Sequence, residues 1–97
     1  MNMQALMKQA QAMQKDIARI KEELDNTEFE GVSQLVTVNV NGKKEILNVN
    51  ISKSIALEDL DMLEDMVLVA FNDAFGKVDK TTEEKMGKYS NMMPGLM

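Results

Sequence analysis

Two residue types that carry much of protein chemistry are absent from this 97-residue sequence, which contains no cysteine and no histidine. Without cysteine, neither a disulfide framework nor a thiolate metal site is possible. Without histidine, the commonest general base and the commonest imidazole metal ligand are missing, and no nucleophile–base pair is visible. The sequence therefore predicts a protein that is not an enzyme and has no cofactor.

Long hydrophobic runs are also absent. No apolar run approaches the roughly 20 residues that a helix needs to cross a membrane. The N-terminal stretch is interrupted by Gln4, Lys8 and Gln9, so it lacks the continuous apolar core of a signal peptide. We therefore expect a cytoplasmic protein with no membrane partner and no small-molecule substrate. A chain of this size makes one domain with a small core, so a second copy is an expected source of stability.

The net charge of −5 is unevenly distributed along the chain. Residues 1–21 carry four cations against one acid, a net of +3, and residues 77–97 carry four cations against three acids, a net of +1. Residues 22–76 carry twelve acids against three cations, a net of −9. A single net charge says little about binding when the charges are segregated in this way.

Apolar residues recur at steps of three and four in two stretches, and each stretch predicts an amphipathic helix. The first helix is expected at residues 3–26, ending at Asn26-Thr27, and the second from Glu58 or Asp59 to about Tyr89. The first helix has a narrow, methionine-rich stripe close to a heptad, which suits packing along one partner helix: Met3, Leu6, Ala10, Met13, Ile17, Ile20 and Leu24. Residues 91–97, with Pro94-Gly95, are expected to form a tail outside a single domain of residues 1–90.

An acidic cluster precedes the apolar row of the second helix: Glu58, Asp59, Asp61, Glu64 and Asp65. Three of these acids share one helical face, which is one way to hold a divalent metal, but no glycine-hinged calcium loop surrounds them. Acids in the first turns of a helix favour that helix, because the unpaired N–H groups there carry partial positive charge. We interpret the cluster as helix-stabilising and predict no metal site.

Three strands are predicted between the helices. Residues 28–33 alternate weakly and suggest a short strand broken at Gly31, whereas residues 35–40 and 46–51 are apolar and alternating. A four-residue loop at residues 41–44 would place Val38 opposite Leu47 and Val36 opposite Val49, which gives one apolar face. A two-residue turn would mix the faces. The other face, with Thr37, Asn39, Asn48 and Asn50, is expected to be polar.

The predicted fold is therefore α+β, with a small antiparallel sheet between two long helices in the order α-β-β-β-α. If the helices pack antiparallel, the two basic segments meet at a protruding tip and the acidic segment forms the base. Clustered cations of this kind bind phosphate by releasing counterions. Arg19 is the one arginine, and Tyr89 is the one aromatic residue near the tip. We therefore expect neither bidentate base readout nor base stacking.

Several stretches, taken together, resemble the YbaB/EbfC family of small bacterial nucleoid-associated proteins. The most specific is the second helical stretch, with MLEDMV at residues 62–67 and AFNDA at residues 70–74. The opening MQALMKQAQAM at residues 3–13, the strand and turn LVTVNVNG at residues 35–42, and Pro94-Gly95 add to it. None of these motifs is catalytic, so the resemblance rests on their sum.

The resemblance implies a subunit that forms a tweezer-like homodimer, binds double-stranded DNA and associates with the bacterial nucleoid. The projecting helical arms are the implied DNA contact, and they coincide with the basic tip. The arm cations carried over are Lys8, Lys15, Arg19, Lys21, Lys77, Lys80, Lys85 and Lys88.

Two further expectations concern protein partners. The small core and the surplus of large apolar residues on the second helix predict a homodimer interface with Leu63, Val67, Phe71 and Phe75. A different class of function also stays open, namely an adaptor that binds another protein through the methionine-rich stripe. Salt separates the two functions, because phosphate binding weakens steeply as salt rises and apolar docking barely changes.

Overall fold

The computed structural model describes residues 2–89, apart from the side chain of Lys88, and has the predicted α-β-β-β-α order. The helices and strands in chain order are α1 Met3–Asp25, β1 Glu28–Ser33, β2 Val36–Asn41, β3 Ile46–Ile51 and α2 Leu60–Met86. Short 3-10 helices, Leu57–Asp59 and Gly87–Tyr89, flank α2. The α+β fold class is confirmed, whereas the predicted tail lies outside the described residues.

Helix α1 begins and ends at side chains that bond its free backbone groups. At its start, the Asn2 side chain accepts a hydrogen bond from a backbone N–H of the first turn at 3.0 Å. At its end, the Asn26 side chain donates to the Glu22 carbonyl at 2.9 Å, and the Thr27 hydroxyl donates to the Glu23 carbonyl at 2.6 Å. The predicted stop at Asn26 and Thr27 is therefore confirmed.

The three strands form an antiparallel meander in the order β1–β2–β3. Valines alternate with polar residues along β2, so Val36, Val38 and Val40 point to one face and Thr37 and Asn39 to the other. The three valines are at most 1% exposed, because α2 lies across this face over β1 and β2. The core is therefore the layer between the sheet and α2, continued by the packing of α1 against the end of α2.

The register of the β2–β3 hairpin differs from the prediction by two residues. Val38 lies opposite Val49 rather than Leu47, and Val36 lies opposite Ile51 rather than Val49. A slip of one residue turns a side chain of β3 to the other face, whereas a shift of two keeps it on its own face. From Asn48 onward the shift is two residues, and only Ile46, shifted by one, changes face and joins the apolar face opposite Val40. The prediction of one apolar face is therefore right although the pairing is wrong.

The loop accounts for one residue of this shift. It has three residues, Gly42–Lys44, between the bonded pair Asn41 and Glu45. Lys44 has a φ of 62° and its N–H donates to the Asn41 carbonyl at 2.9 Å, so a tight turn is followed by one left-handed residue. The Asn41 side-chain oxygen also accepts from the N–H groups of Lys43 and Glu45, each at 3.0 Å. A bulge in the β2–β3 ladder adds the second residue.

Gly31 lies inside a continuous β1 and pairs with Val38, so the predicted break at this residue is wrong. A Cβ atom at Gly31 would lie 2.0 Å from the Ala70 carbonyl oxygen and 2.6 Å from the Ala74 nitrogen. Ala70 and Ala74 are themselves 0% exposed. The glycine is therefore present because the α2 backbone lies directly on the β1 backbone.

The C-terminal end of α1 packs equally closely against the hairpin loop, because a Cβ atom at Gly42 would lie 1.9 Å from the Leu24 carbonyl oxygen. From there α1 lies alongside the end of α2. Leu24 and Met86 line the same small cavity, and the Tyr89 hydroxyl donates to the Asp16 carboxylate at 2.5 Å. The helices are therefore antiparallel. The described residues together form an elongated molecule of 70 × 20 × 14 Å.

Two side chains of α2 bond the outer edge of β1. The Asp73 carboxylate accepts from the Val32 N–H at 3.0 Å, and Lys77 Nζ donates to the Glu30 carbonyl at 2.7 Å. Asp73 and Lys77 also form an ion pair at 3.2 Å. The Val32 N–H and then Lys77 lower the pKa of Asp73, because both stabilise its charged form. These bonds occupy backbone groups through which an edge strand pairs with another strand.

Substitution Gly31→Ala is expected to destabilise the protein by about 1–3 kcal/mol, because the new methyl group overlaps backbone atoms that cannot move without shifting α2. Urea unfolding at equilibrium measures the change. Gly76→Ala is the matched control, since Gly76 lies within α2 and a Cβ there has no atom within 4 Å. That variant is expected to gain about 0.5–1 kcal/mol from helix propensity. Equal stability of both variants would contradict the close contact.

Substitution Asp73→Asn is expected to lower stability near neutral pH and to have less effect in acid. The folded pKa of Asp73 lies below its ordinary value of 3.8. Its contribution is therefore fully present above that value and is lost as pH falls through the folded pKa. Urea unfolding at about pH 7 and about pH 3 tests this sign, with Asp65→Asn as an exposed control on the same helix. A deficit that is equal at both pH values would contradict the assignment.

Candidate nucleic-acid interface

The N-terminal half of α1 projects from the body as an arm, which we define as residues 3–15. Residues 2–12 are all exposed. Lys8 and Lys15 lie two turns apart along the arm, on roughly the opposite side of α1 from the buried face that includes Ile17. Among the described residues, neither lysine forms an ion pair. The arm therefore presents two unneutralised cations on one solvent-facing side.

Arg19 and Lys21 lie on the part of α1 that packs against α2, and acids pair with both. The Arg19 guanidinium bonds the carboxylates of Asp16 and, at 2.9 Å, of Glu23. These bonds, Asp16 first, raise the pKa of Arg19 above its ordinary value. Lys21 pairs with Asp25 at 3.4 Å. The spacing of three or four residues would have revealed these pairs in the sequence.

The four cations predicted on the second helical segment lie in three different settings. Lys77 bonds the β1 edge and Asp73, as described above. Lys80 and Lys85 are exposed and form no ion pair within residues 2–89. Lys88 lies in the 3-10 turn that follows α2, and its side chain is outside the described part of the structure. Lys80 and Lys85 are therefore a second pair of exposed cations without an ion pair among the described residues, although the exposed acids Glu83 and Glu84 lie beside them in the sequence.

The acidic residues cluster around the start of α2, at the other end of that helix from these cations. The exposed members are Glu58, Asp61, Glu64 and Asp65. The Asp59 carboxylate accepts from the Ala56 N–H at 2.9 Å and so holds the turn that leads into the helix. Within residues 2–89, no group of three or more histidines, cysteines and acids is placed to hold a metal ion. This acidic cluster and the exposed Lys80 and Lys85 therefore lie at opposite ends of α2.

A continuous apolar surface remains uncovered on the sheet beside α2. Ile46, Val49 and Ile51 of β3 lie on the same face as the buried valines of β2, to which they pair directly. They are nevertheless 56%, 45% and 39% exposed. An α-helix is about 10–12 Å wide and strands are about 4.8 Å apart, so one helix covers two strands and not three. The uncovered face of β3 therefore follows from the position of α2.

The adjoining side of α2 carries the residues predicted for the dimer interface: Leu63, Val67, Phe71 and Phe75. Each is half-buried and packs against the core. The rings of Phe71 and Phe75 stack with centroids 5.9 Å apart. Lys44, in the loop before β3, lies 6.0 Å above the Phe75 ring and pairs with Asp79 at 2.9 Å. This side of α2 therefore faces β3, and we call the two apolar surfaces together the β3 trough.

The three β3 residues were not among the interface candidates predicted from the sequence, because the apolar face of the hairpin was expected to be core throughout. The signal that was available is the count of elements, since a single long helix lies on the apolar face and this face has three strands to cover. The helices of residues 2–89 include none that is long and apolar enough to span a membrane.

Comparison with known proteins agrees with this architecture. The sequence matches the YbaB/EbfC DNA-binding family over residues 1–93. A nucleoid-associated protein of Ligilactobacillus salivarius is 46% identical over 99 residues, which cover 99% of this chain and 95% of that protein. A nucleoid-associated protein of Enterococcus faecalis is 44% identical over 98 residues, which cover 98% of this chain and 94% of that protein.

A solved structure shares the fold. The crystal structure of an uncharacterized protein from Helicobacter pylori aligns with a TM-score of 0.75 over 91% of this chain and 96% of that one, at 23% identity. The resemblance motifs at residues 3–13, 35–42 and 62–74 therefore lie in a fold that the comparison confirms, whereas Pro94-Gly95 lie outside the described residues. Because the family match spans residues 1–93 and the relatives match almost end to end, this chain belongs to the YbaB/EbfC DNA-binding family, which is not a family of enzymes.

Proposed function

We propose that this protein is a homodimer that binds duplex DNA through the backbone phosphates, using the cations of its helical arms. The observation that carries the proposal is the arm itself, which projects from the body and presents Lys8 and Lys15 without neutralising partners among the described residues. Membership of a DNA-binding family supports it. The relatives are named nucleoid-associated proteins, and we place this chain likewise in the cytoplasm, at the nucleoid.

The chemistry of the arm favours phosphates over bases. Arginine reads guanine in the major groove through a bidentate contact, and Arg19, the one arginine, is held by two carboxylates. Base stacking relies on aromatic faces, and the arm from residue 3 to residue 15 has none. Lysines instead gain affinity by displacing condensed counterions, which requires no base contact. We therefore expect binding that is insensitive to DNA sequence and sensitive to salt.

The eight candidate cations do not contribute equally to this proposal. Lys8, Lys15, Lys80 and Lys85 are exposed and unpaired within the described residues, so they bind phosphate without first breaking an ion pair. For Arg19, Lys21 and Lys77, a phosphate has to compete with carboxylates that already neutralise them. Lys88 stays a candidate on its position in the sequence. The first four are therefore the strongest candidates for the DNA contact.

The β3 trough supports the dimer. Its floor on β3 is apolar and exposed in the single chain, and its wall on α2 is apolar and half-buried; exposed apolar patches of this kind mark protein interfaces. Two copies related by a two-fold axis present the same patch to each other. In such a dimer Phe71 and Phe75 of each copy cover the β3 face of the other, and Leu63 and Val67 extend the contact. The dimer also doubles the number of arms, and with it the number of phosphates that the protein reaches.

A second candidate function is an adaptor that binds another protein through the methionine-rich stripe. The exposure of Met3 at 69% and Met7 at 59% favours it, because exposed methionines suit adaptable apolar docking. Its response to salt distinguishes it from phosphate binding. Apolar docking keeps its strength as salt rises, whereas phosphate binding weakens along a straight line on logarithmic axes.

Combined substitution of Lys8→Gln and Lys15→Gln is expected to weaken binding to a random-sequence duplex and to flatten its salt dependence. The slope of log affinity against log salt falls in magnitude by about 0.9 for each phosphate that the protein no longer neutralises. Fluorescence anisotropy of a labelled duplex, measured from low to physiological salt, gives both quantities.

The matched control is Lys43→Gln with Lys53→Gln, which removes the same charge from exposed loops of the sheet. This variant is expected to keep the slope of the unaltered protein. An equally weakened affinity in both variants would show that only overall charge matters and would contradict contact by the arm. If the unaltered protein binds no duplex even at low salt, the DNA proposal itself fails.

Substitution Val49→Lys is expected to convert the dimer into a single chain, because it places a charge on the floor of the β3 trough. Sedimentation equilibrium measures the mass. Val32→Lys is the matched control, since both residues are strand valines of similar exposure, at 45% and 47%, on opposite faces of the sheet. The control is expected to remain a dimer. A single-chain mass for the unaltered protein would overturn the dimer.

A further inference from the structure

An apolar stripe runs along the arm, and from Met3 to Ala10 no described residue covers it, whereas Met13 already packs against the core. Met3, Leu6 and Met7 are 69%, 44% and 59% exposed. The same stripe on the second half of α1, from Ile17 onward, belongs to the buried core. The change occurs near Asp16, which is bonded by Tyr89 at the end of the 3-10 turn that follows α2. The arm therefore presents an apolar surface, which we call the seam, that is suited to packing against a second helix, and no described residue supplies that helix.

The positions that flank this seam carry no charge. With Met3 and Ala10 at heptad position a, and Leu6 and Met13 at position d, the flanking e and g residues of the arm are Asn2, Met7, Gln9 and Gln14. Flanking residues determine which helices pair and in which orientation. Past the arm the same positions are charged, with Asp16, Lys21 and Glu23, and there α1 packs against its own chain. Uncharged flanks allow two identical arms to meet without repulsion and give no charge that would attract a different helix.

The cations of the arm lie away from the seam. Lys8 and Lys15 occupy position f, the position farthest from a and d on the helix surface. A second helix on the seam therefore leaves both lysines in solvent. In a pair of arms, the two lysine faces point in opposite directions.

We propose that arms from two separate dimers pair in antiparallel orientation along this stripe, and that each arm pair bridges two DNA duplexes. The bridging rests on the proposed DNA function, whereas the pairing does not. Antiparallel orientation follows from the size of the body. Paired helices lie about 8–10 Å apart, and the body that follows each arm has a cross-section of 20 × 14 Å. In a parallel pair the two bodies would overlap, and in an antiparallel pair they lie at opposite ends.

The seam is short. From Met3 to Ala10 the uncovered part spans about two turns, about 11 Å, which buries less area than a stable interface requires. Pairing is therefore weak between free molecules. It strengthens when several arms are held near one another along DNA, because tethered contacts act at a high effective concentration. The arm thus couples DNA binding to the association of DNA-bound dimers.

The pairing is tested with single cysteines, which are unique because the chain contains none. Leu6→Cys places the thiol on the seam, and Gln11→Cys places it on an equally exposed position off the seam. Each variant is treated with a short bis-maleimide at high protein concentration, and the native mass is then measured by light scattering after dilution. The expected result is a doubled mass for Leu6→Cys and an unchanged mass for Gln11→Cys.

Three results would overturn the pairing. Equal linking of both variants would show random collision. Absence of a link in Leu6→Cys would show that something else occupies the stripe, such as residues 90–97 or a different protein. A link in Leu6→Cys without a change of native mass would place the contact inside one dimer.

The bridging is tested with Met3→Gln and Leu6→Gln combined, both at exposed positions that the core does not use. An immobilised duplex captures a second, labelled duplex when the protein bridges them. The variant is expected to lose this capture and to keep the affinity of the unaltered protein for a single duplex. Retained capture overturns the bridging, and so does a parallel loss of single-duplex affinity. If the unaltered protein binds no duplex, the DNA function fails and bridging with it, while the crosslinks still decide the pairing.

Discussion

The backbone contact between α2 and β1 determines the arrangement of the rest of the molecule. It exists because Gly31 has no side chain and because α2 presents Ala70 and Ala74 to it. A helix held this close to one edge of a three-stranded sheet covers β1 and β2 and leaves β3 open. The same contact brings Asp73 and Lys77 within reach of the β1 edge. Side chains of α2 therefore bond the β1 edge of the sheet, whereas the exposed apolar surface lies at the β3 edge.

The second constraint is that the N-terminal half of α1 extends beyond the C-terminal end of α2. Gly42 allows the C-terminal end of α1 to pack against the hairpin loop, and the antiparallel α2 with the 3-10 turn that follows it lies along α1 as far as Tyr89, which bonds Asp16. Beyond that point the arm continues without cover from the described residues. Charge follows the same division, because Arg19 and Lys21 are paired with acids on the packed half, whereas Lys8 and Lys15 on the projecting half form no ion pair with any described residue. The arm therefore presents two lysines without an ion pair among the described residues on one side and an exposed apolar stripe on the other.

Much of this was predictable from the sequence, for reasons that differ between elements. The long apolar periodicities and the asparagine stop at Asn26 are local signals, and they gave the α-β-β-β-α order correctly. The hairpin register was missed because it depends on the three-residue loop and on a bulge, neither of which changes the apolar pattern. Gly31 was misjudged because its role is contact with a distant helix, which no local pattern reveals. Predicting the β3 trough requires knowledge of which strands α2 covers. The ion pair of Arg19, by contrast, could have been predicted from its spacing to Asp16.

The central claim is that the projecting arm, together with the free lysines at the end of α2, meets DNA. Backbone amide chemical shifts followed by NMR during addition of a short duplex at low salt test it most directly. We predict that the shifting amides lie in residues 3–15 and around Lys80 and Lys85, and that added salt reverses the change. The acidic start of α2 and the polar face of the sheet are predicted to stay unchanged. Shifts concentrated in the sheet or in the β3 trough, or shifts that persist as salt rises, would contradict the claim.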